Sequence, residues 1–187
     1  MHGRRRLAMG GLGLTVVAAG VAAGLTLLRP AEGAPSMARQ GAPAPQIRLP
    51  VVGGGTSNLS AELGKVVLVN FWATWCEPCK SEMPGLQQLA DEFRDRPFVL
   101  YSVDLQEDAA QVEGFQRELG LSLYAVLDRD GDVTRAYGVR VLPATFLVDN
   151  TGVVRQQRLG PLLPGSAETL WSEPWLAAQV RGLLATG

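Results

Sequence analysis

Val66-Val67-Leu68-Val69-Asn70-Phe71-Trp72-Ala73-Thr74-Trp75-Cys76-Glu77-Pro78-Cys79-Lys80 reads as a buried strand leading directly to the only two cysteines of a 187-residue chain. With no other cysteine present, an intrachain disulfide must close this four-residue loop, and chain entropy credits so small a loop with only roughly 2 kcal/mol. Stapling is therefore a weak reason for the spacing. Redox chemistry is a better one, because two thiols on one helical turn can form, break and exchange a disulfide without moving the fold.

The residues that follow place the pair. Met83, Leu86, Leu89, Ala90 and Phe93 recur at helical spacing, so Cys76 falls near a helix N-terminus. There the unpaired backbone N–H groups and the positive end of the helix dipole favour a thiolate. Pro78 suits a first turn, where its missing N–H costs nothing. Cys76 is the expected nucleophile and Cys79, one turn inward, the resolving thiol. Half of a zinc site is the competing reading of a Cys-x-x-Cys pair. It needs further ligands, and the chain offers no third cysteine and only His2. Neither a metal nor another cofactor is expected.

The stretch Val69 to Pro84 resembles the active site of the thioredoxin superfamily, and within it the TlpA/ResA-like branch of membrane-anchored extracytoplasmic thiol-disulfide oxidoreductases. Tyr137-Gly138-Val139-Arg140-Val141-Leu142-Pro143-Ala144-Thr145-Phe146-Leu147-Val148-Asp149 is similar to the loop and strand in which that family's cis-proline faces the dithiol. The resemblance spans roughly Ala44 to Leu184. It implies an α/β thioredoxin-like fold: a central mixed sheet flanked by helices, with an N-terminal strand extension and a central insertion.

It also implies roles. Pro143 would be the cis-proline, leaving the backbone of Leu142 free to pair with a substrate strand beside Cys76; the plain alternative is an ordinary trans loop proline. A glutamate at the position of Glu82 tunes the thiols in ResA-like proteins, so Glu82 joins Cys76 and Cys79 as a catalytic candidate. The alternative is a solvated helix carboxylate. Trp75, Glu77 and Pro78, with Leu142 and Pro143, are the expected substrate-binding residues. Trp72 and Trp75 fit either a collar for partner peptides or a cover over the strand-to-helix turn. Asn70 departs from cytoplasmic thioredoxins, which carry a buried aspartate there, and shifts proton management towards Glu82 or water.

The N-terminus and the charge bear on location and partners. Arg4-Arg5-Arg6 precedes an uncharged run from Leu7 to Leu28, which at about 1.5 Å per residue can cross a hydrocarbon core of roughly 30 Å. Residues 1–29 read as a transmembrane anchor or signal with the arginines on the cytoplasmic side, and both versions export the domain. Residues 30–45, rich in Ala, Pro and Gly, read as a flexible linker, and 46–187 as the thioredoxin-like domain. Beyond residue 30, thirteen basic residues face eighteen acidic ones, a formal charge of −5 that argues against nucleic acid.

Within the domain, Gln46–Val51 and Gly53–Ser60 read as a hairpin-like extension, Val66–Phe71 as a strand, and the active-site helix extends to about Asp95 past Pro84. Phe98–Val103 forms a strand, Asp108 caps a helix with Ala109, Val112, Phe115 and Leu119 on one face, and Leu121–Leu127 forms another strand. Asp128-Arg129-Asp130-Gly131-Asp132 is a turn; its glycine position and Val139 at the end do not fit a calcium loop. Strands on either side of Asp149-Asn150-Thr151-Gly152 form a hairpin, and a helix from Ser172 carries Leu176, Val180, Leu183 and Leu184.

The expected activity is thiol-disulfide exchange in the reducing direction. The resemblance implies disulfide-containing exported proteins as partners, apocytochrome c in cytochrome c maturation among them, and a transmembrane thiol reductant as electron source. A disulfide oxidase or isomerase and a noncatalytic binding module are the rival readings. An oxidase of the periplasmic type carries a histidine between its cysteines and a large helical insertion; this chain has Glu77-Pro78 and no room for one.

Overall fold

A computed structural model of the chain describes residues 37–162 and 173–186. Its centre is the strand β1, Val66–Trp72, buried at every position. Such a continuous apolar run suits a strand covered on both faces. β2, Phe98–Leu105, lies parallel to β1, and β3, Ala125–Asp128, parallel to β2. On the other side β4, Ala144–Val148, pairs antiparallel with β1, and β5, Val154–Leu159, antiparallel with β4. The order is β3-β2-β1-β4-β5, the mixed sheet of a thioredoxin-like fold.

Period-two alternation along β1 divides the core. Val66, Leu68 and Trp72 face one cluster with Met83, Leu86 and Leu89 from helix α1, Glu77–Glu92, and with Leu176 and Val180 from the C-terminal helix. Val67, Val69 and Phe71 face the other, where the Phe71, Tyr137 and Phe146 rings meet at 5.0 to 5.8 Å between centroids. Helix α2, Ala109–Leu119, begins at Asp108, whose carboxylate accepts from the N–H of Gln111 at 2.9 Å, and ends at Gly120 in the left-handed region. With β3 it forms the central insertion. A five-residue helix α3, Asp132–Ala136, follows, and α4, Glu173–Ala185, closes the domain.

Several boundaries differ from the sequence expectation. Active-site helix α1 stops at Glu92 rather than Asp95. Of the expected strand 121–127 only the part from Ala125 on is in the sheet, where β3 runs to Asp128, because Leu121 completes the α2 cap, its N–H donating to the Gln116 carbonyl, and Leu123 packs into the core. The acidic turn at 128–132 leads into α3, a helix the sequence did not indicate. Asp128 is buried and accepts from the N–H groups of Val133 and Thr134 and from the Thr134 hydroxyl, so it caps that helix from outside. The N-terminal extension is built from single bridges, Pro50 to Thr56 and Val51 to Val126, and a 3₁₀ helix at Leu59–Glu62, not from a regular strand.

The linker reading of residues 30–45 is corrected over its described part. Ala38 is buried, its N–H donates to the Ala136 carbonyl, Gly41 and Ala42 bond with Val154, and Ala44 donates to Gly152. The Tyr137 hydroxyl donates to the Pro45 carbonyl at 2.9 Å. Backbone pairing along the β5 hairpin overrides the composition of a flexible tether. The expected anchor, residues 1–29, lies outside the described residues; among the described ones no helix is long and apolar enough to cross a membrane.

Candidate active site

Cys76 is the N-cap of α1, reached by a tight turn from the end of β1. It is joined to Cys79 by a disulfide, with the Cα atoms 5.3 Å apart. Cys76 Sγ also accepts from the N–H of Cys79 at 3.3 Å, so the sulfur sits where the first-turn amides converge. Of the two, Cys76 retains 6% exposure and Cys79 none. Glu77 and Pro78 form the exposed first turn, with Glu77 paired to Lys80 at 3.2 Å.

A groove of about 520 Å³ opens beside Cys76. It is lined by Trp75, Glu77, Pro78 and Leu142, four of the residues singled out in the sequence, and also by Leu105, Thr134, Val139, Arg140 and Val141. Trp75 and Val141 are 65% and 53% exposed, so the groove has apolar walls open to solvent. The Leu142–Pro143 peptide bond is cis. Pro143 itself accepts at its carbonyl from Gly160, and no described residue hydrogen-bonds to the backbone of Leu142. Trp72 takes no part in the groove; it is buried and stacks on Phe115 at 5.0 Å, which settles its two readings in favour of packing.

Glu82 is not in the groove. It lies beneath α1, 4% exposed, with Oε1 accepting from Asn70 Nδ2 at 2.8 Å and Oε2 from the N–H of Leu162 at 3.0 Å. Burial excludes the solvated-carboxylate alternative. Asn70 also donates to the Thr145 hydroxyl at 3.1 Å, linking β1, β4 and α1.

A second acidic pair escaped the sequence reading. Glu107, just past β2, accepts from the N–H and the hydroxyl of Thr74, both at 2.6 Å, and so clamps the turn two residues before Cys76. Asp104, fully buried on β2 opposite Trp72 in the parallel register, has no hydrogen-bond donor on either oxygen. Burial, then the adjoining Glu107 carboxylate, push its acid up to about 9. The signal that could have flagged both is topological: they lie at the carboxyl ends of parallel strands, where functional groups of α/β sheets gather.

A dithiol at a helix N-terminus, on a thioredoxin-like sheet and facing a cis-proline loop, defines a thiol-disulfide oxidoreductase. The chain belongs to the AhpC/TSA family, whose model matches residues 40–157. It is 39% identical over 116 residues to the thiol-disulfide oxidoreductase ResA of Geobacillus kaustophilus, covering 62% of this chain and 67% of that protein. Against ResA of Bacillus subtilis the identity is 37% over 115 residues, covering 62% and 64%. Among solved structures, a thiol:disulfide interchange protein of the thioredoxin family from Chlorobium tepidum superposes with a TM-score of 0.65 at 25% identity, covering 80% of this chain and 99% of that one.

Proposed function

We propose that this protein is a reductant of protein disulfides outside the cytoplasm, held at the membrane by residues 1–29. Reduced Cys76, as thiolate, attacks one sulfur of a substrate disulfide; a mixed disulfide forms and the other substrate sulfur leaves as thiolate and takes a proton. Cys79 then loses its proton and attacks Cys76 Sγ, which releases the reduced substrate and closes Cys76–Cys79. A transmembrane thiol carrier supplies the two electrons that reopen it. Exported proteins with paired cysteines are the substrate class, and the haem-attachment cysteines of apocytochrome c are the specific candidate that the family resemblance of the active-site stretch implies.

The observation that carries this reading is the groove: it brings Cys76 alongside Leu142, whose backbone no described residue engages and which can therefore pair with an extended substrate strand. Trp75, Glu77, Pro78 and Pro143 would then flank that strand. The test is trapping. Cys79→Ser should accumulate mixed disulfides through Cys76 that thiol reductant releases, and failure to capture any partner with Cys76 reduced and accessible overturns exchange. Direction is read from the reduction potential: a value near that of thioredoxin, about −270 mV, supports reduction, and one near about −120 mV overturns it.

A further inference from the structure

We propose that Asn70 is a positioning residue of the reaction: its amide holds in place the Glu82 carboxylate, which leaves the same side of α1 as the buried Cys79. The inference rests on the reading that Glu82 tunes the dithiol, and extends it to a residue in a different element. Asn70 stands at the middle of the central strand, on the face it shares with Leu68 and Trp72 beneath α1, and is fully buried. Glu82 is three residues after Cys79, so the two project from the same side of α1.

Donors from two different elements reach the Glu82 carboxylate. Asn70 Nδ2 at 2.8 Å and the Leu162 N–H at 3.0 Å each reach a different carboxylate oxygen. Both groups can only donate, and an ionised carboxylate can only accept, so the two bonds fix the side chain at both ends. Asn70 is in turn held by its second bond, to Thr145 Oγ1 at 3.1 Å. The chemistry needs such precision at this point. Cys79 has no solvent contact, yet it must shed a proton before it can displace the substrate from Cys76, and a nearby acceptor is useful only at a defined distance.

The arrangement explains the residue type at position 70. A carboxylate on the strand would serve as the buried acceptor itself. Here the carboxylate stands on the helix, and the strand position supplies a donor to it. An aspartate at position 70 would set two carboxylates against each other and force a proton onto one of them.

The test is a double-mutant cycle on the reduced full-length chain, reading the pH dependence of Cys79 alkylation with each thiol located by mass spectrometry. Glu82→Gln and Asn70→Leu are each expected to displace the Cys79 profile by a half to one pH unit, corresponding to a three- to tenfold change in alkylation rate at fixed pH. The double variant should shift it no further than Glu82→Gln alone. Should Asn70→Leu fold poorly, Asn70→Asp retains the shape, and the titration of the Glu82 Cδ carbon by NMR should move in it. Additive effects, an unmoved profile in Asn70→Leu beside a moved one in Glu82→Gln, or an unmoved Glu82 carbon in Asn70→Asp overturn the proposal. An unmoved profile in Glu82→Gln itself overturns the reading beneath it, and the proposal with it. Loss of exchange as such is separate, since Cys79→Ser trapping reports it.

Discussion

Replacing Asp104 by asparagine should make the protein more stable, increasingly so as the pH rises. Asp104 is buried on β2 with no donor on either oxygen, and burial followed by the Glu107 carboxylate lifts its acid from the ordinary 3.8 to about 9, with Asp108 adding to the effect. Between those two values the folded state holds a proton that the unfolded chain has released. Stability therefore falls as pH rises across that window, by about 1.4 kcal/mol per pH unit. From pH 5 to pH 8 this one group removes on the order of 4 kcal/mol, a large share of a typical domain's stability. An amide keeps the shape and has no proton to lose. Urea unfolding of the oxidised protein at pH 5, 6, 7 and 8 measures the effect: the gap between Asp104→Asn and the parent should open by about 4 kcal/mol across the series. Titrating groups that do not interact with Asp104 are common to both proteins and cancel in the difference. Parallel stability curves, with a gap constant to within about 1 kcal/mol, would refute the assignment of a neutral buried acid at position 104.

Two further perturbations probe the same framework. Glu107→Ala removes the acceptor of two bonds donated by Thr74, each worth about 1 kcal/mol or more, and should lower the melting temperature and slow exchange through Cys76; calorimetry with a disulfide-reduction assay reads both. At Asp149, burial opposes ionisation but is outweighed by bonds from Val153, Thr151 and Arg155, which hold the carboxyl below its usual range. The stability it contributes is present above about pH 4 and lost as pH falls through the folded value, so Asp149→Asn should cost most at neutral pH and progressively less in acid. Equal losses at pH 7 and pH 2.5 in urea titrations would contradict this.

Much of the site was legible in order. The apolar run Val66–Phe71, the helical spacing from Met83 to Phe93 and Pro78 place Cys76 at a strand-to-helix junction by local rules alone, and the Asp108 cap and the Asp149–Gly152 hairpin connection follow from equally local chemistry. Glu82 was less legible. A helix carboxylate reads as solvated until the sheet beneath it is known, and its burial depends on Asn70, twelve residues earlier, and on Leu162, eighty residues later. Glu107 and Asp104 gave no motif, since their importance comes from which strand lies beside β1. The Ala/Pro/Gly composition of residues 38–45 concealed the fact that their backbone groups pair with the β5 hairpin and α3.

The sequence by itself determined the cysteine pair, its place at a helix end and the strand that precedes it, because periodicity, caps and a proline position are properties of neighbouring residues. Only the tertiary structure decided what surrounds that pair. Asn70 and Glu82 meet because β1 passes beneath α1, Glu107 reaches Thr74 because β2 lies parallel to β1, and Leu142 stands beside Cys76 because the 138–143 loop returns to the same end of the sheet. Each of these contacts joins residues at least a dozen positions apart, where the choice of partner is made by sheet order and burial, and the chain in isolation carries no local signal of either.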